Sequence, residues 1–126
     1  MKASDFRIGN LVCEPIHKLP FYIGLEDIAD LLFDRPKRFE PIPLTEEWLL
    51  RFGFKLDREG DDYNYYTLEG FDSLSDYGDQ GVSLPKNDKG YSHIYCGYYR
   101  NEIDFEFVHQ LQNLYFALTN EELKEE

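Results

Sequence analysis

At 126 residues the chain is the size of one ordinary domain, and 42% hydrophobic residues beside 30% charged ones suffice for a real core. Twenty-five acids against thirteen bases give a formal net charge of -12, the wrong sign for the Lys and Arg clusters on which phosphate-backbone binding depends. No stretch approaches the ~20 apolar residues of a membrane-spanning helix, and the start, Met1-Lys-Ala-Ser-Asp, lacks the apolar run of a secretion signal, so a cytoplasmic protein with no membrane partner is expected.

In chain order, Phe6 to Val12 alternates loosely around Gly9-Asn10, which suits a first strand with a bend. Pro15 and Pro20 bound a connection, and Phe21 to Ile23 reads as a short strand. Leu25, Ile28, Ala29, Leu31 and Leu32 then recur at helical spacing until Pro36 forbids continuation. The basic cluster Arg35, Lys37 and Arg38 beside that proline reads as a solvated loop. Leu44-Thr-Glu-Glu-Trp-Leu-Leu-Arg-Phe-Gly carries the grammar of a two-turn helix. Thr45 is the N-cap, Glu46 and Glu47 face the positive end of the dipole, Leu44 staples onto Leu49, and Gly53 is the left-handed stop. Trp48, Leu49 and Phe52 form its core side.

Phe54 to Leu56, Tyr63 to Leu68 and Val82 to Leu84 are strand candidates between Gly- and Asp-rich turns. Tyr91 to Tyr99 reads as one strand placing Tyr91, His93, Tyr95 and Tyr99 on a common face. From Asp104 as cap, the longest helix is expected, with Val108, Leu111, Tyr115 and Leu118 as its buried seam and Glu106, His109, Gln110 and Asn113 as a polar stripe. Residues 119–126 form an acidic tail, frayed in this reading, on a single domain of residues 1–126. The fold expected is α+β: a small antiparallel sheet, in the form of a partly open SH3-like barrel, packed by two or three helices.

The acidity is local. Residues 57–79 hold eight acids and one base, a net -7, and residues 101–126 hold seven acids and one base, a net -6. In an extended segment Asp57, Glu59 and Asp61 share one face, while Asp72, Asp76 and Asp79 have the spacing of one helical stripe. Together with Asp62 these acids either keep the surface solvated or dock into a basic cleft.

Three pieces of text, Lys2-Ala-Ser-Asp-Phe-Arg-Ile-Gly-Asn, Pro41-Ile-Pro-Leu-Thr-Glu-Glu-Trp-Leu-Leu-Arg-Phe-Gly-Phe and Val108-His-Gln-Leu-Gln-Asn-Leu-Tyr-Phe-Ala-Leu-Thr-Asn-Glu-Glu-Leu, resemble a family of small uncharacterised proteins carried by bacterial phages and mobile elements. The likeness covers about a third of the chain. It implies a genomic setting in a bacterial host rather than a reaction. Where relatives usually have Gly after the Ala-Leu-Thr text this chain has Asn120, which also tolerates the left-handed backbone of a helix stop.

His17, His93 and His109 lack HxH or HExxH spacing, Cys13 and Cys96 have no CxxC neighbour, and no phosphate-cradling Gly loop or GxSxG elbow is present. No metal, cofactor or catalytic residue is therefore expected, and the cysteines read as free thiols. The leading expectation is a non-enzymatic accessory protein that binds and inhibits a host protein, such as a CRISPR or restriction nuclease, with Asp57, Glu59, Asp61, Asp62, Asp72, Asp76 and Asp79 as a nucleic-acid mimic. One alternative is a small-ligand or nucleotide-messenger site built from Tyr91, Tyr95 and Tyr99 as stacking surfaces, with His93 and Arg100 as polar contacts. A structural homo-oligomer joined through the tyrosine face is the other.

Overall fold

The Arg7-Ile8-Gly9-Asn10 text does not extend the first strand; it folds into a turn ahead of it. Gly9 sits at φ +93°, where a side chain is strained, and Asn10 closes the turn by accepting the Arg7 N–H at 2.8 Å on Oδ1. This computed structural model describes residues 6–32, 39–69, 71, 80–86, 91–96 and 99–125. Strand β1 is Leu11–Cys13, followed by β2 (Pro20–Tyr22), helix α1 (Leu25–Leu32) and β3 (Glu40–Pro41). These strands form a small antiparallel sheet in the order β2-β1-β3.

Helix α2, Glu46–Arg51, forms as its grammar dictates. Thr45 has the extended backbone of an N-cap, although its hydroxyl makes no capping bond, and Gly53 takes the left-handed stop at φ +92°. Leu44 and Leu49 meet in the core, as a hydrophobic staple requires. Five strands follow or flank it: β4 (Lys55–Glu59), β5 (Tyr63–Thr67), β6 (Gln80–Pro85), β7 (Ser92–Cys96) and β8 (Tyr99–Phe105). They form one antiparallel meander in the order β4-β5-β6-β7-β8, and helix α3 (Val108–Thr119) closes the chain's fold.

The α+β class and its antiparallel sheet are as expected, but the sheet does not close into a barrel: β4 and β8 remain its two edges, and the three-stranded sheet is separate from it. The stretch expected as one strand from Tyr91 to Tyr99 is divided between two antiparallel strands, because Cys96 in β7 pairs with Tyr99 in β8. Helix α3 begins later than Asp104. Asp104 and Phe105 belong to β8, and the helix entry is capped by Gln110, whose Oε1 accepts the N–H groups of Glu106 at 2.9 Å and Phe107 at 3.1 Å. Asn120 does end the helix in the left-handed region, at φ 61°.

The main core joins one face of the large sheet (Tyr66, Val82, Ile94, Phe105) to α2 and α3 through Trp48, Leu49, Phe52, Val108 and Leu111. A smaller cluster of Phe6, Val12, Ile23 and Phe39 lies on the other side of β1. The buried side of α3 is rotated from the one expected: His109 and Gln112 are buried with Val108 and Leu111, whereas Leu118 is exposed. The chain entering α2 is bonded to the chain entering α3 by Leu44 N–H to Glu106 O and Val108 N–H to Ile42 O, both 2.8 Å.

That rotation joins the first turn of the chain to α3. Gln112 Oε1 accepts the Leu11 N–H at 2.6 Å, and Asn113 Oδ1 accepts from Asn10 Nδ2 at 2.8 Å. Leu11 needs a partner because its N–H points away from β2, and β3 pairs only with Val12 and Cys13. Arg7 adds a third link, donating to both carboxylate oxygens of Glu122 at 2.5 and 3.1 Å with its guanidinium 4.8 Å from the Phe116 ring centre. Leu123 is buried in the main core, so the acidic segment after α3 is anchored at its middle.

Candidate functional site

Strand β4 is one edge of the large sheet, and all five of its residues are exposed. Asp61 and Asp62, in the turn that leads to β5, are exposed as well. Asp57, Glu59, Asp61 and Asp62 therefore gather along one rim. They do not share a face in simple alternation. Leu56 pairs with Tyr66 but Arg58 pairs with the next residue back, Tyr65, so Asp57 is the extra residue of a β-bulge. Cross-strand partners share a face, which puts Glu59 on the side of Tyr66 and Asn64 and Arg58 on the side of Tyr65. Asp72, Asp76 and Asp79 lie outside the described residues.

On the core side, the Tyr66 hydroxyl donates to a Glu46 carboxylate oxygen. Burial first, then this bond and the charges of Glu46 and Glu59, push the Tyr66 phenol up from 10.0 to about 12. The folded value lies above the unfolded one, so this group's contribution to stability is intact below about pH 10 and drains away as the pH rises toward 12. We expect Tyr66→Phe to remove that component: urea titrations at about pH 9 and about pH 11.5 should show a steeper alkaline loss in the parent chain than in the variant. Parallel losses would disprove the assignment.

The opposite face of the sheet carries a row that crosses all five strands, one residue from each: Arg58, Tyr65, Ser83, His93 and Asp104. The Arg58 guanidinium lies 4.3 Å from the centre of the Tyr65 ring, and Tyr63 meets His93 edge to face at 5.8 Å. His93 Nδ1 lies 2.8 Å from Asp104 Oδ1. The order Ser, His, Asp is that of a hydrolytic triad, but the Ser83 hydroxyl is buried and directed at the backbone carbonyl of His93, at 3.4 Å, so it presents no nucleophile.

Of the residues expected to bind a small ligand, Tyr91 is 48% exposed whereas His93 is 8% exposed and already beside Asp104. Tyr95 and Arg100 are directly paired across β7 and β8, and Tyr99 follows the reversal rather than continuing the strand. The reading from sequence missed Tyr63 and Asp104 as neighbours of His93, because contacts across strands leave no periodic trace along the chain. A glycine inside the supposed strand, Gly97, was the available signal against one continuous strand.

His109 is packed between rings, 4.4 Å from Phe6 and 5.8 Å from Phe107, and is not part of an exposed polar stripe. Cys13 is a buried free thiol. Among the described residues no group of His, Cys, Asp and Glu has the makings of a metal site, and no helix is long and apolar enough to cross a membrane. Two cavities, of about 440 Å³ beside Gly9 and Tyr22 and about 350 Å³ beside Cys13 and Trp48, border the small sheet; neither is lined by the β4 acids or the cross-strand row.

No protein-family model, curated protein or solved structure matches the chain.

Proposed function

We propose that this is a non-catalytic binding protein that attaches to a host protein through the acidic rim at β4. The observation that carries the reading is that β4 is a free sheet edge whose every residue is exposed, continued by the exposed Asp61 and Asp62. Residues 55–62 hold four acids and two bases, a net -2, and one of the bases, Arg58, is drawn over the Tyr65 ring. The bulge takes Asp57 out of the strand's alternation, and with every residue of β4 exposed the rim is a thin ridge of carboxylates. Such a ridge suits insertion into a basic cleft better than contact with a flat basic surface.

A basic cleft of that shape is what a nucleic-acid-handling enzyme offers its substrate, so a defence nuclease is the class of target we propose, with inhibition by competition for the channel. The resemblance to proteins of phages and mobile elements supports that setting. Opposite-charge steering makes association fast and salt-sensitive.

The test begins with affinity capture of a partner from the native host. The variant Asp57→Asn, Glu59→Gln, Asp61→Asn, Asp62→Asn should then bind that partner roughly ten- to hundred-fold more weakly, as expected for four rim charges worth a few tenths of a kcal/mol or more each. The parent affinity should fall as salt rises. Equal affinity of the two chains at low salt would eliminate the rim as the contact.

A further inference from the structure

Among the described residues β4 and β2 are each the outer strand of a sheet, and the two edges are built in opposite ways. β4 has a bulge and the charged residues Lys55, Asp57, Arg58 and Glu59, devices that keep an edge from pairing with another chain. β2 has no charged residue, and apolar side chains surround it: Ile16 is 82% exposed, Leu19 63%, Tyr22 53% and Leu25 72%. Exposed apolar side chains in such number along one edge mark a candidate interaction surface.

We propose that β2 is the interface of a symmetric dimer of this chain. In the β1 and β2 ladder, Glu14 N–H bonds to Leu19 O and Ile23 N–H to Asn10 O, so residues 19, 21 and 23 direct their backbone groups at β1. Tyr22, one step out of phase, directs both its N–H and its C=O outward. A residue offering one donor and one acceptor at a free edge is complementary to itself: two antiparallel copies of β2 related by a two-fold axis exchange a pair of Tyr22 hydrogen bonds. Pairing goes no further, because Pro20 has no N–H and the Gly24 N–H is held by Asp27 Oδ2 at 2.8 Å. The joint therefore stops at two chains, with apolar contact from Tyr22 on one face of the strand and Leu19 on the other.

Charge selects a second copy over another partner. Residues 8–25 contain one acid, Glu14, and one base, Lys18, so this strip is neutral on a chain of net -12. The acidic segments of two such chains repel each other, so two copies meet most easily through a strip without net charge, whereas a basic protein is drawn to the carboxylates elsewhere. Glu125, whose Oε1 lies 3.4 Å from the Tyr22 hydroxyl, stands at the rim of the strip, and together with the overall charge it makes the dimer tighten as salt is added. Binding at the β4 rim responds to salt in the opposite sense, so the two proposals stand or fall separately.

The experiment is sedimentation equilibrium of the full chain from about 1 µM to about 1 mM, at low salt and at ~0.5 M salt. A reversible monomer–dimer equilibrium that shifts toward dimer with salt is expected. Leu19→Lys with Tyr22→Lys should leave only monomer while circular dichroism and the melting temperature stay those of the parent, and Leu56→Lys on β4 should leave the dimer intact. A chain that remains monomeric throughout, or a dimer that survives the double substitution in a folded variant, overturns the proposal. So does capture of a host protein that the double variant alone loses, since the strip would then belong to that partner.

Discussion

Leu49→Ala is expected to lower the unfolding free energy by about 2–5 kcal/mol and the melting temperature by roughly 10–20 °C. Leu49 is fully buried in the main core, on the short helix α2, which a two-turn length could not hold in water by itself. Its neighbours Leu44, Phe52 and Phe54 are all in the same cluster, and its backbone carbonyl accepts the Phe54 N–H at 3.0 Å immediately before β4. The cavity left by alanine thus loosens both the helix and the root of the acidic edge. Denaturant titration measures the loss; a value under about 1 kcal/mol would mean that α2 is not packed as described.

Gln112→Met should cost about 1–3 kcal/mol although the substitution adds hydrophobicity to a buried site. Methionine fills a similar volume but cannot accept the Leu11 N–H, which then has no partner on the β3 side. The bond from Gln112 Nε2 to Gly9 O, at 3.4 Å, is weak and contributes little to the total. Gln112→Glu supplies the check: it keeps the acceptor and should retain more stability than methionine near neutral pH. A methionine variant as stable as the parent would show that the Leu11 amide finds another partner.

Much of α2 was legible because its signals are local. Leu44, Thr45, Glu46, Glu47 and Gly53 each act within one helical turn of their neighbours, and the structure uses the staple and the glycine stop as written. α3 was harder. Phe105, Phe107 and Val108 fit an alternating pattern and a helical one equally well, and the decision fell to Asp104 and Phe105 pairing with His93 and Ser92, which no local rule contains. Burial of Gln112 and His109 followed from partners a hundred residues away in the chain or on a separate element, so their polarity read as exposure. The acidic rim was visible as composition, but the bulge at Asp57 was not, since Leu56-Asp-Arg-Glu reads as plain alternation.

The links from Arg7 to Glu122, Asn10 to Asn113 and Leu11 to Gln112 span 115, 103 and 101 residues of sequence. During synthesis the Leu11 amide must wait for α3 before it is satisfied. Closing so long a loop makes folding slow relative to a helical protein of equal size. A nascent chain arrested before α3 would hold β1 with an open amide and an uncovered apolar side, the state most exposed to aggregation and proteolysis.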